Sequence, residues 1–272
     1  MRFNIERVKL WWSDKRHRDL TIKAALAISI LGVVGLDSWL VTCGFDRCPT
    51  PRQIQSYQPD EGGRIFDRNG KLMGRLAIVR RLNVPISQVP VHVRQAFIAT
   101  EDRRFYKHHG VDWRGFFRAA LKNIRSGEVR EGFSTITMQA AQNSFVVKKY
   151  PNRSLRQKLI ETRVARLMER SLTKDQILQL YMNAIYMGNG VYGVEAASRD
   201  LFGKSVSRLT LPEAAMLAAL PKAPSYYTPR RNAARAIARR NLVLGLMVEA
   251  GYVSADRLPD LRATRLKIAK DE

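Results

Sequence analysis

The stretch Glu101-Asp102-Arg103-Arg104-Phe105-Tyr106-Lys107-His108-His109-Gly110-Val111-Asp112 crowds carboxylates, imidazoles and aromatic rings into one short segment. Read with the apolar residues before it, it continues a helix that opens near Val91. Phe97, Glu101, Phe105 and His108 then share a face at i, i+4, i+8 and i+11. A carboxyl on an apolar face is partly stripped of water, which raises its pKa and suits it to general base or acid work. The plainer reading of Glu101 is a helix-end carboxylate held by Arg104 or Lys107. Shortly after comes Gly132-Phe133-Ser134-Thr135-Ile136-Thr137-Met138-Gln139. Its hydroxyls and amide, with Gly132 allowing close approach of a ligand to backbone, suit an anionic or sugar ligand. Together the two segments point to carboxylate chemistry on a phosphate-bearing sugar.

Ser134 is placed to cap a helix running through Gln142, whose first N–H groups would face an anion. Farther on, Glu161 stands one turn from Lys158, either as a second working carboxylate or as an i, i+3 surface ion pair. His108 and His109 lack the further His, Cys or Asp spacing that completes a zinc site, so His108 reads as a hydrogen-bonding structural residue. There is no Walker-type phosphate loop and no dinucleotide fingerprint.

The 272 residues carry a formal net charge of +23, from 47 Lys and Arg against 24 Asp and Glu. Such a surplus implies an anionic partner: nucleic acid, anionic lipid or a phosphorylated substrate. The first residues narrow the choice. Arg2, Arg7, Lys9, Lys15, Arg16, Arg18 and Lys23 precede an apolar run from Ala24 to Thr42, broken by Asp37. That run is long enough to cross roughly 30 Å of hydrocarbon. A basic flank stays on the cytoplasmic side, which sends the rest of the chain outward and disfavours nucleic acid as the partner. A buried core helix and a cleaved signal peptide are the competing readings. Cys43 and Cys48, just beyond the run, fit either a local disulfide in an oxidising compartment or two free thiols.

The expected organisation is a basic cytoplasmic segment over 1–23, a membrane anchor over 24–42, a linker over 43–62, a β-hairpin and connection over 63–90, a helical domain over 91–255 and a basic tail over 256–272. Asn69-Gly70 reads as the two-residue turn of the hairpin. Thr173 with Gln176, and Thr210 with Glu213, form capping boxes ahead of apolar helices. Pro221 and Pro224 stop the second of these, and a basic amphipathic helix from Asn232 ends at Gly251.

The motifs in this order resemble the peptidoglycan glycosyltransferases of family 51, monofunctional or as the N-terminal domains of class A penicillin-binding proteins. Glu101, Asp102, Phe105, His108, Gly110 and Asp112 match the first family motif, and Gly132, Ser134, Thr135, Ile136, Thr137 and Gln139 the second. Lys158 and Glu161 match the third. Gln176–Asn183 with Gly188–Ala197, and Leu211–Pro224, resemble the later ones. The chain departs from the family at Gln142 and Gln157, where cations are usual, and at Phe133; Lys148, Lys149, Arg153 and Arg156 lie near enough in sequence to compensate.

The resemblance implies a mostly α, lysozyme-like helical domain, with the small hairpin in front and an N-terminal transmembrane helix. It implies polymerisation of lipid II by inverting transfer from an undecaprenyl-diphosphate donor to a sugar 4-hydroxyl, at the outer side of a bacterial inner membrane. Glu101 would be the base. Glu161 would orient substrate or hold a divalent cation, Mg or Mn, and no organic cofactor is implied. Asp102, Phe105, His108, Ser134, Thr135, Thr137, Gln139, Asn143 and Lys158 would bind substrate. Lipid II, the nascent glycan strand, the membrane and cell-wall synthesis proteins are the partners implied, with no nucleic acid. Trp113–Ile124 would dip into the membrane surface or pack in the core. The competing functions are a lysozyme-like hydrolase and a catalytically weakened, membrane-anchored scaffold.

Overall fold

The computed structural model describes residues 15–43, 48–61, 63–70, 72–76, 80–126, 134–146 and 155–270. The chain divides into two compact units, Met1–Cys48 and Pro49–Glu272. In the first, helix α1 (Lys15–Val41) exposes its apolar residues all round, among them Leu26, Ile30, Val33 and Leu36. Its segment Lys15–Trp39 is long and apolar enough to cross a membrane. An all-round apolar helix is the kind that spans a membrane or sits inside a large core. Cys43 and Cys48 are disulfide-bonded, which decides between the two readings of that pair.

The second unit begins earlier than the expected linker allows. Thr50 and Gln53 form a capping box that starts α2 (Pro51–Ser56), whose Ile54 is buried where α2 packs on α6 (Leu155–Ser171). The segment behind it is pinned by Arg81 and Asn83, which donate to the carbonyls of Asp60 and Pro59. The hairpin forms as β1 (Gly63–Phe66) against β2 (Leu72–Leu76), antiparallel. Its turn is not Asn69-Gly70 alone: Gly70 N–H closes on Asp67 O, Arg68 and Asn69 are the central residues, and Gly70 takes the left-handed position after them. Asp67 Oδ1 also accepts from Asn69 N–H, which favours this turn.

The connection to the helical domain belongs to it. β3 (Arg80–Arg81) pairs parallel with β5 (Val191–Tyr192), and β4 (Tyr186–Gly188) closes the other edge antiparallel. Asn183, buried at the end of α7 (Lys174–Ala184), exchanges two hydrogen bonds with the backbone of Val84, and Gln179 accepts from Ile86 N–H. These side chains satisfy an extended segment that has no strand partner there. The chain then enters α3 (Val91–Glu101).

The core lies where α3, α9 (Leu211–Ala219) and α11 (Ala233–Glu249) meet. Every residue from Pro212 to Leu220 is buried, and Ala214, Ala215, Ala218 and Ala219 let neighbouring backbones come close. Both capping boxes form: Thr173 N–H donates to Gln176 Oε1, and Thr210 N–H to Glu213 Oε2. Lys204, 2.8 Å from Glu213, helps to hold that carboxyl below its ordinary pKa. α11 ends as its sequence suggests, with Gly251 at positive φ and Tyr252 N–H returning to Met247 O.

The basic tail is not loose. After α12 (Leu258–Ala263) the chain runs back along the domain, where Arg240, buried in α11, donates to the carbonyls of Arg262 and Thr264. Ala269 N–H reaches Leu201 O, and Arg230 donates to Ala269 O.

Candidate active site

α3 stops at Glu101, and the helix does not run on to His108. Asp102 leaves the helical region (φ −160°, ψ 77°), and a separate 3-10 turn, Phe105–Lys107, follows. The break comes from Asp102 itself. Its carboxylate turns inward, where Oδ2 accepts from His108 Nε2 at 2.8 Å and from Ile136 N–H at 3.1 Å. A buried carboxylate with two donors gains more than continuation of the helix offers. Phe105 and His108 are buried with it. Gly110 follows with φ +90°, and a Cβ there would meet the Ala165 backbone at 3.3 Å, so the close pass over α6 needs glycine.

The helix after Ser134 is one residue out of the expected register. Thr135 is the N-cap of α5 (Ile136–Ala141), accepting from Met138 N–H and donating to Gly110 O at 2.6 Å. Asp102 and Thr135 thus take N–H groups at this helix start, so the expected anion nest is filled by the protein's own carboxylate. A π-turn, Gln142–Val146, continues α5 and carries Asn143. Gln139 reaches back across the gap, and its Nε2 donates to Glu101 Oε2 at 2.8 Å. Burial is the main influence on Glu101 and pushes its pKa up. Gln139, Arg239 and Lys222 pull it partly back, and Asp102 adds a smaller upward push.

On α6, Glu161 is buried rather than at the surface, yet it keeps the expected ion pair. Lys158 Nζ lies 3.0 Å from Oε2, and Gln157 Nε2 donates to Oε1 at 2.9 Å. Lys158 also donates to Ser134 Oγ at 2.7 Å, which ties α6 to the segment ahead of α5. Gln157, at one of the two positions where the family usually carries a cation, therefore satisfies Glu161 without charge.

Glu101, Asp102, Ser134, Thr135, Gln139 and Gln142 all border one open cleft of about 930 Å³. Its other walls carry six cationic side chains: Arg103 and Arg104 beyond α3, Arg118 and Lys122 on α4 (Trp113–Ser126), Lys222 after α9, and Arg239 on α11. Arg103 is paired to Glu249 and Arg104 to Asp112. Lys222 and Arg239 make no ion pair among the described residues, and the Arg239 guanidinium sits 5.7 Å over the Tyr227 ring. Phe116 and Ala119 face the cleft from α4, while Trp113, Phe117, Leu121 and Ile124 stand exposed along the helix's other side.

The structure thus gathers Glu101, Ser134, Thr135 and Gln139 around the cleft, with Asp102 at its wall. Phe105, His108 and Thr137 are buried behind it, and Thr137 donates to Glu169 Oε1 at 2.6 Å. Lys158, Glu161 and Asn143 do not border this cleft; Lys158 connects to it through Ser134. Gly132, Lys148, Lys149 and Arg153 fall outside the described residues. Lys222 and Arg239 were not legible as site residues: each sits in a run that reads as a helix stop or a basic helix face, and nothing local marks it.

A divalent cation finds little at Glu161. Both its oxygens already accept from Lys158 and Gln157, and among the described residues no three His, Cys, Asp or Glu side chains cluster. A hard cation held at Glu161 would take the rest of its oxygen ligands from water or from substrate phosphate.

Residues 69–248 match the family model described as Transglycosylase. The chain is 42% identical over 251 residues to "Penicillin-binding protein 1A" of Aquifex aeolicus, covering 90% of this chain and 34% of that protein. It is 46% identical over 199 residues to the protein of that name from Escherichia coli, covering 73% and 23% respectively. A crystal structure of penicillin-binding protein 1A from Haemophilus influenzae aligns with 79% of this chain and 22% of its own, at 27% identity and a TM-score of 0.47. The chain spans about a third or less of the length of these relatives.

Proposed function

The chain belongs to the transglycosylase family, and from that membership we propose that it polymerises lipid II into peptidoglycan glycan strands. The observation that carries the proposal is the Glu101 carboxyl, lodged in the wall of a cation-lined cleft and held at one oxygen by Gln139.

In the reaction, Glu101 takes the proton of the acceptor's 4-hydroxyl as that oxygen forms its bond to the donor's C1. The bond from C1 to the diphosphate oxygen breaks on the opposite face, and its electron pair leaves with the diphosphate, giving inversion. A hydroxyl is a weak nucleophile and needs the base; a diphosphate leaves without an acid but needs positive charge beside it. Lys158, with Ser134, and the cations of the cleft supply that charge. No step here passes through a metal ion. The apolar ridge Trp113, Phe117, Leu121 and Ile124 suits contact with the membrane surface, where the lipid substrate is held. α1 suits the anchor, with the catalytic unit on the outer side.

A hydrolase of finished glycan is less well served. It needs a second working carboxyl besides Glu101. The other acids bordering the cleft are engaged: Asp102 by His108 and Ile136, Asp112 by Arg104, Glu249 by Arg103.

The test is the purified chain with labelled lipid II, with and without divalent cation and with a phosphoglycolipid inhibitor. Long, inhibitor-sensitive glycan supports the transferase. Shortening of preformed glycan replaces it with the hydrolase, and lipid II binding without turnover replaces it with the scaffold.

A further inference from the structure

α4 carries no acidic residue, and its side chains divide into three sectors. At about 100° per residue, Trp113, Phe117, Leu121 and Ile124 make one narrow ridge. All four are exposed, Phe117 at 66% and Ile124 at 77%. Gly115, Phe116 and Ala119 turn toward the cleft. Between these two sectors runs a stripe of cations. Arg114, Arg118 and Lys122 follow one another at i, i+4 spacing, Arg125 comes three residues on, and all four are exposed. Arg114, Arg118 and Arg125 make no ion pair among the described residues, and Asp112, just ahead of the helix, is taken by Arg104. Like charges at this spacing repel and weaken a helix in water. A contiguous exposed apolar ridge is also unfavourable in water and marks a contact surface. The two costs lie side by side on one helix, and a single kind of surface relieves both.

We propose that α4 is a binding surface for anionic phospholipid, its basic stripe seated on phosphate head groups while the ridge enters the acyl boundary. This rests on the reading of the ridge as a membrane contact and deepens it: the ridge calls for lipid, and the stripe selects which lipid. An amphipathic helix with bulky apolar residues on one flank and Arg and Lys on the next lies in the plane of the interface. Its affinity rises with the negative charge of the lipid. Arg and Lys stems can lie along the apolar boundary while their heads reach the phosphates. Zwitterionic lipid would satisfy the ridge alone. An acidic protein would satisfy the stripe alone and leave Phe117 and Ile124 in water. Arg118 and Lys122 also border the cleft, so head groups held by the stripe set the cleft mouth at the depth of the lipid phosphates.

The experiment places the full chain in nanodiscs of phosphatidylglycerol and phosphatidylcholine in equal amounts, with brominated acyl chains carried by one lipid or by the other. The signal is the part of the fluorescence that Trp113→Phe removes. Bromine on phosphatidylglycerol should quench it roughly fivefold more strongly than bromine on phosphatidylcholine, the enrichment expected for one engaged cation. Arg114 and Arg125 do not border the cleft. Arg114→Gln with Arg125→Gln should cut the ratio by more than half, and Arg114→Lys with Arg125→Lys should keep it. Salt at about 1 M should act as the Gln pair does. Equal quenching by the two lipids, or a ratio that the Gln pair leaves unmoved, overturns the proposal and leaves the ridge as a membrane contact. No quenching by either lipid removes the ridge reading and the proposal with it. Equal quenching together with capture of soluble poly-glutamate overturns the proposal in favour of an acidic protein partner. Lipid selection in a chain that makes no glycan upholds the proposal and removes the transferase reading instead.

Discussion

Glu101 and Asp102 are neighbours in sequence and are put to opposite uses. Asp102 turns inward to accept from His108 and from the N–H of Ile136, and Glu101 stays at the cleft wall with Gln139 on one oxygen. The division is set by the helix end between them. One carboxylate is spent on joining three segments, and the other is left available for chemistry.

Glu101→Gln should lower polymerisation by roughly 10²- to 10⁴-fold and raise stability. The sign follows from the raised pKa. A carboxyl whose folded pKa lies above its unfolded value favours the folded state at low pH and loses that contribution as pH rises through the folded pKa. Gln has no such loss. Melting temperatures of the two proteins should coincide well below the ordinary value of 4.5 and diverge in favour of the variant as pH rises above it. In the parent enzyme the acid limb of the rate profile should fall above the ordinary glutamate range.

Asp102→Ala should cost about 3–5 kcal/mol, because His108 and the start of α5 lose a shared buried acceptor. Asp102→Asn keeps an acceptor oxygen and should cost markedly less. Urea denaturation of both variants measures the difference. Equal losses would mean that charge, not hydrogen bonding, joins the segments.

Lys158→Met leaves the Glu161 carboxylate buried with Gln157 as its remaining described donor. Since Lys158 itself is 27% exposed, the expected destabilisation is about 2 kcal/mol, below the full cost for a buried pair. Adding Glu161→Gln to Lys158→Met should recover part of it. A double-mutant cycle with no coupling would show that the pair does not hold α6 in place.

The exposed side of α4 should meet the bilayer. In lipid nanodiscs, brominated acyl chains should quench the part of the fluorescence that Trp113→Phe removes. Phe117→Glu combined with Ile124→Glu should reduce that quenching, since a charge on the ridge disfavours burial in the acyl boundary.

Much of the helical frame is readable locally. The capping boxes at Thr173 and Thr210, the stop at Gly251 and the apolar run ahead of Cys43 are signals carried within a few residues, and each appears in the structure. Periodicity misleads at Glu101–His108. The apolar spacing continues past the helix end, because Phe105 and His108 are buried by tertiary packing rather than by a shared helix face. The register at Ser134 fails for a similar reason. By type Ser caps slightly better than Thr, yet Thr135 takes the place because Gly110 O and Asp102 lie on its side of the turn while Lys158 holds Ser134.

By itself, the sequence determined a basic, mostly helical chain with one apolar helix near its start, the order of its motifs and the segment that holds Glu101. Those follow from composition, spacing and local hydrogen bonding. Tertiary structure alone decided which of two adjacent carboxyls is tied into the fold, that Glu161 is buried with its lysine, and that Lys222 and Arg239 join the site. Each depends on side chains far apart in the chain meeting in a low-dielectric interior, where a single partner decides whether a polar group is stable, reactive or idle.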